Sequence, residues 1–294
     1  MINLPRKILL ATDLSARSDR AQDRAVALMK QFKAELIILH VLESTHEISN
    51  IGRIPFMQFH RPNAVLIEKA RRMLLDYLGE ASPHVSVRIE EGEPSDVIMR
   101  ISREENCDLI ITGVARNEVL GRFTLGRTVD HLMRKSEKLL LVVTGRARNH
   151  YKNIVVTTDF SEVSEHAIRA AAALFPDHIL VILYAYTAPK SSSADDIDGY
   201  REQMRQVARR DLEKFIEGIG LTQDERSRVN LRIEMGNESR IIKDFVRLTD
   251  AELVVVGSRF RGIVSYSLFG SHAKRIISAL PCDALVVRYK KNNM

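Results

Sequence analysis

AELVVVGSRFRGIVSYSLFGSHAKRIISAL, residues 251–280, holds an apolar run, a glycine-bearing loop and a segment with helical apolar spacing. The run AELVVV reads as a buried strand, and HAKRIISAL as a helix that opens at Gly270 and Ser271. A strand, a loop and a helix start in that order favour an anion, because unpaired backbone N–H groups and the helix dipole point the same way. Gly257 and Gly270 let backbone approach a ligand without a Cβ in the way, and the Ser271 hydroxyl is placed to donate to a phosphate oxygen. The same residues also suit a plain surface loop with a serine helix cap.

The unit occurs twice. EEGEPSDVIMRISREENCDLIITG (90–113) matches EMGNESRIIKDFVRLTDAELVVVG (234–257) without a gap. KILLATDLSARSDRA (7–21) matches NIVVTTDFSEVSEHA (153–167), and each half closes on LVV, at 141–143 and 285–287. A period of about half the chain is too long for a solenoid and points to duplication of a whole domain. Domains of residues 1–146 and 150–290 follow.

Within each half, strands alternate with helices, so a parallel sheet with right-handed crossovers is expected. KILLAT, AELIILHVL, HVSVRIEEG, CDLIITG and LLLVV are the five strands of the first half. Helices are expected after Ser15, at 63–81, from Pro94 to Asn106 and at 126–136, and the second half repeats the order with a helix at 196–218. Ligands of such sheets sit at the carboxyl ends of the strands. That rule brings Asp13 to the Gly113 loop, and Asp159 to the Gly257 loop.

Composition narrows the function. The 294 residues are 45% hydrophobic and 28% charged, enough for two ordinary packed domains. The net charge of +6 is dispersed, Trp is absent and aromatics are 6%, so a nucleic-acid surface has no support. No apolar stretch approaches a membrane span. Two cysteines, Cys107 and Cys282, make no disulfide framework, and a reducing cytoplasm is the expected setting. GRFTLGRT (121–128) is one residue short of a P-loop, but it does not follow its strand directly. His40, His46 and His60 match no zinc spacing. No local nucleophile–base pair is present, so dedicated catalysis is not indicated.

The chain resembles a tandem universal stress protein over nearly its full length. The likeness rests on the TDxS turn after the first strand of each half, on LHV (39–41) and LYA (183–185), on the glycine loop and on PCDALVV (281–287). It implies two five-stranded open sheets, Rossmann-like, paired through their last strands inside one chain, with pairing of whole chains left open. It also implies stress-responsive binding of ATP or another adenine nucleotide, with magnesium accompanying a triphosphate, slow ATP hydrolysis at most, and a protein partner that the sequence does not identify.

Many members hold ATP with a G-x2-G-x9-G-(S/T) loop. The second half gives Gly257, Phe260, Gly270 and Ser271, the first Gly113, Arg116, Gly126 and Arg127. By resemblance Asp159 meets the ribose or adenine side, Ala185 lines the adenine pocket and Thr157 stands beside them. Gly257, Ser258, Arg259, Phe260, Gly270, Ser271 and His272 then form the phosphate loop. Asp13, Val41, Gly113, Arg116, Gly126 and Arg127 are the first-half counterparts. Phe260 adds bulk where the family has glycine, and Arg116 and Arg127 either clamp phosphate or fill the pocket. His272 is read first as an ordinary first-turn residue. The second half is therefore the expected main nucleotide holder, and the rivals are a scaffold of the same fold that works through protein contacts and a slow nucleotide hydrolase or nucleotidyl transferase.

Overall fold

The computed structural model describes residues 3–15, 18–42, 68, 72, 84–114, 118–119, 122–123, 125–146, 150–187, 197–259 and 271–289. The first half runs β1 (Lys7–Thr12), α1 (Ser18–Phe32), β2 (Glu35–Leu42), β3 (Val85–Glu91), α2 (Pro94–Glu104) and β4 (Leu109–Gly113). A two-stranded hairpin, β5 (Glu118–Val119) and β6 (Arg122–Phe123), precedes α3 (Arg127–Lys135) and β7 (Leu139–Val143). The second half runs β8 (Ile154–Thr158), α4 (Glu162–Leu174), β9 (Leu180–Tyr186), α5 (Ile197–Gly218), α6 (Gln223–Ser227) and β10 (Val229–Met235). It ends with α7 (Glu238–Thr249), β11 (Leu253–Arg259), α8 (Ser271–Ala279) and β12 (Asp283–Tyr289).

The expected elements form where apolar runs are long. The helix expected at 63–81 lies largely outside the described residues, of which Glu68 and Arg72 are helical. The hairpin and the short α6 were not expected. α6 starts with a capping box in which Thr222 and Glu225 satisfy each other's backbone N–H groups, a pattern legible in the sequence as T-x-x-E.

All strands but the hairpin join one ten-stranded sheet, in the order β10-β9-β8-β11-β12-β7-β4-β1-β2-β3. Each half is parallel throughout, and the halves meet where β12 runs antiparallel to β7, with Leu285 opposite Leu141. The carboxyl ends of the two strand sets therefore lie at opposite rims of the sheet. Apolar side chains fill both faces without a break at the seam. One core runs from Leu10 and Ile38 through Leu141 and Leu285 to Ile182, packed on α1, α4 and α5. The other runs from Leu9 and Ile37 through Val142 and Val286 to Leu183, packed on α2, α3, α7 and α8.

The seam also buries charge. Asp283 Oδ1 accepts from the Thr144 and Gly145 N–H groups at 2.8 and 3.0 Å. Its Oδ2 accepts from the Tyr151 hydroxyl at 2.7 Å and from Arg24 Nε at 3.2 Å. The Arg24 guanidinium lies 3.8 Å from the centre of the Tyr151 ring. Arg24, Tyr151 and Asp283 are all buried, so acid, base and hydroxyl satisfy one another where water is excluded.

Candidate functional site

The central strand of each half ends in the same hydrogen-bonded turn. In the second half the Phe160 N–H donates to Thr158 Oγ1 at 3.2 Å, and Thr158 Oγ1 donates to Ser164 Oγ at 3.0 Å. Asp159 Oδ1 accepts from the Ser161 N–H at 3.2 Å and from its hydroxyl at 2.6 Å. Ser161 in turn caps α4 by accepting from the Ser164 N–H. The first half repeats the bonds of the turn: Leu14 to Thr12 at 3.1 Å, Thr12 to Ser18 at 2.8 Å, and Ser15 to Asp13 at 3.0 and 2.6 Å.

This network holds Leu14 at φ 57° and Phe160 at φ 63°. A bulky residue there costs about 1–3 kcal/mol and persists only where its surroundings enforce it. The result is that each Asp carboxylate is fixed at the mouth of the strand ends. Burial works to raise the Asp159 pKa, but hydrogen bonds from Ser161 outweigh it and hold the carboxyl below its ordinary 3.8. The group is ionised at neutral pH and acts only as an acceptor. It suits a ligand that presents N–H or O–H donors, as an adenine amine or a ribose does.

Neighbouring strands bring the other predicted residues alongside. β8 lies between β9 and β11, with Thr158 opposite Tyr184 and Val255 opposite Val156. Thr157 is buried and Ala185 half-buried, and strand alternation puts both on the face that carries α7 and α8. Val41 has the same place in the first half, packed against the core of that face. The opposite face differs between the halves. His40 Nδ1 donates to the Thr12 carbonyl at 2.9 Å, whereas its counterpart Tyr184 packs against Phe160 and Tyr186 with ring centroids 4.3 and 5.9 Å apart.

Gly257 ends the apolar part of β11. A Cβ built there would stand 2.6 Å from the Val163 carbonyl oxygen in the first turn of α4. Close packing of strand and helix accounts for this glycine whether or not a ligand is bound. Ser258 is buried and its Oγ accepts from Arg288 Nη1 at 2.8 Å. Arg259 belongs to β11, and Ser271 and His272 begin α8, but the side chains of all three fall outside the described residues. Phe260, Gly270 and Arg116 also lie outside them.

In the first half Gly113 ends β4, Gly126 is the N-cap of α3, and Arg127 opens that helix with an exposed side chain. Among the described residues no side chain caps the α3 N-terminus. By contrast Glu93, Ser161, Asn237 and Thr222 cap α2, α4, α7 and α6. Uncapped N–H groups at the predicted phosphate end leave donors for an anion.

A cavity of about 620 Å³ lies elsewhere, at the amino ends of β8 and β9, and Asn153, Ile179 and Thr249 line it. At the equivalent first-half positions Lys7 pairs with Glu35 and Glu105 at 3.3 and 3.5 Å, and Arg88 pairs with Glu105. The cavity marks the loss of that ion network and lies across the sheet from the loops. Among the described residues no cluster of His, Cys, Asp and Glu forms a metal site, and no helix is long and apolar enough to cross a membrane.

A duplicated open α/β sheet, with a fixed carboxylate at each set of carboxyl strand ends, is a tandem protein of the doubly wound class. The chain belongs to the universal stress protein family, which it matches over residues 5–144 and again over 150–288. It is 22% identical to the universal stress protein E homolog of Haemophilus influenzae, over 98% of this chain and 99% of that one. A putative universal stress protein of Staphylococcus aureus is 27% identical over 53% of this chain and 95% of its own. Among solved structures, a universal stress protein from Archaeoglobus fulgidus superposes with a TM-score of 0.64 at 20% identity, covering 96% of this chain and 98% of that one. A putative one from Pseudomonas aeruginosa gives 0.64 at 19%, covering 97% and 93%.

Sequence reasoning missed the polar residues that join the halves, Arg24, Tyr151, Asp283 and Arg288. The available signal was disagreement between the repeats. Asp283 and Arg288 stand where the first half has Leu139 and Thr144.

Proposed function

We propose that the chain is a stress-responsive module that binds an adenine nucleotide, ATP, ADP or AMP, at the carboxyl strand ends, held mainly by the C-terminal half. The observation that carries this reading is the duplicated turn that fixes an ionised Asp159 beside Ala185 and the end of β11. Asp159 accepts from the nucleoside, Thr157 and Ala185 line its face, and the start of α8 at Ser271 takes the phosphates, with magnesium accompanying a triphosphate. Gly126 and the uncapped start of α3 offer the first half a second, weaker pocket. The output is contact with a protein partner in a reducing compartment such as the cytoplasm, with ATP turnover slow at most.

Two observations favour a scaffold that holds no nucleotide: packing against Val163 already explains Gly257, and Arg288 already engages Ser258. Calorimetric titration with ATP and AMP, with mass spectrometry of the natively purified chain, separates the readings. Adenine nucleotide carried through purification, and heat lost in Gly270→Arg more than in Gly126→Arg, is the expected result. No retained nucleotide and no heat at millimolar ATP would select the scaffold, and equal losses would move the main pocket out of the second half.

A further inference from the structure

Two cations of the second half are committed to a helix of the first. Lys274, on α8, sits 2.8 Å from Asp130 Oδ1 on α3. The two occupy the same repeat position, four residues after Gly270 and Gly126. A position that would face its own like charge in a pair of identical domains thus carries opposite charges here. At the far end of α3, buried Arg288 donates to the Leu132 carbonyl at 3.1 Å, to the Met133 carbonyl and to Ser258 Oγ. Its Nε–H is buried without a partner among the described residues, and burial lowers its pKa to about 10, which still leaves it charged at neutral pH. The first-half hairpin adds a third contact, since β6 packs against α8.

α3 therefore spans the space between the two candidate pockets, about 14 Å for nine residues. Its N-terminus is the first-half loop end, and its C-terminal carbonyls share a guanidinium with the strand that feeds the second-half loop. Building on the nucleotide reading above, we infer that the two pockets fill antagonistically because they compete for Lys274 and Arg288. A phosphate near Ser258 and the start of α8 draws both cations toward itself. Asp130 then keeps Arg134, 3.0 Å away in its own helix, and its carboxylate repels an anion at Gly126. The Leu132 and Met133 carbonyls lose their guanidinium at the same time, which loosens the last turn of α3. A phosphate at Gly126 reverses each step and holds both cations on α3. Linkage makes the two penalties equal.

The test is ATP titration calorimetry on the full chain. Asp13→Ala and Asp159→Ala, neither of which alters Lys274, Asp130 or Arg288, give the affinity of one pocket with the other silenced. The product of those two association constants should exceed the overall wild-type product about fivefold or more, the range of ordinary site coupling. In a Lys274→Gln background the excess should fall to within about twofold, with melting checked for each variant. Asp130→Asn is the second route, because it removes the repelling charge, and it should also relieve the antagonism. Equal products in the wild type, or an excess that survives both substitutions, overturns the coupling and leaves nucleotide binding intact. Absence of ATP heat in every folded variant overturns the nucleotide reading itself, and the coupling with it.

Discussion

The Tyr151 hydroxyl donates to Asp283 Oδ2 at 2.7 Å inside the seam between the halves, with both side chains buried. Tyr151→Phe keeps the ring under Arg24 and removes only a hydrogen bond to a charged acceptor, a loss of about 1.5–3 kcal/mol. Asp283→Ala removes the carboxylate of a buried ion pair with Arg24, a loss of about 3–5 kcal/mol. Urea denaturation measures both, and a neutral Tyr151→Phe would show that this bond does not hold the seam.

Asp283 also sets a pH dependence. Burial raises its pKa above 3.8, against the opposing pull of Arg24, the Thr144 and Gly145 N–H groups and the Tyr151 hydroxyl. A carboxyl raised in the folded state binds its proton more tightly there than in the unfolded chain, so stability falls as pH rises. The contribution is complete below 3.8 and is lost as pH rises through the folded value. The stability difference, wild type minus Asp283→Asn, should therefore decrease across that window and stay level above it. Denaturation midpoints in a pH series check this, and a difference that grows with pH contradicts it.

Gly257→Ala places a methyl group 2.6 Å from the Val163 carbonyl oxygen, a contact that only a shift of α4 or β11 can relieve. The expected loss is about 1–3 kcal/mol, as for other overpacked sites. Thermal melting without ligand measures it. A Tm equal to wild type would mean that strand and helix have more room than the structure shows.

Both thiols should be inert in the folded protein. Burial is the largest cause in each case, pushing Cys107 up to about 11 and Cys282 higher still. Little thiolate, the reactive form, exists at pH 8. Titration with a disulfide reagent should find no fast-reacting thiol in the native chain and two after denaturation. A fast-reacting native thiol would show that one of these cores opens.

The sheet was legible in the sequence because its strands are buried on both faces and read as unbroken apolar runs such as LIITG and LVVVG. The turn at Asp159 was legible because TDxS recurs at the same place in both halves, with the same bonds beneath it. The role of Gly257 was not, since a glycine that admits a ligand and one that admits Val163 look alike until the helix is placed. Nor was the polar seam. Arg24 and Asp283 are 259 residues apart, and no periodicity links them. Only their mismatch with Ala170 and Leu139 in the other repeat marks them as features of the join.

The pairing of Leu141 with Leu285 turns one domain end over end relative to the other. The molecule thereby has two poles, each with its own mouth, facing away from each other. A protein that sits over one pole leaves the opposite mouth open to solvent. On the proposed reading, a nucleotide arriving at one rim and a partner seated on the other would share the chain without meeting.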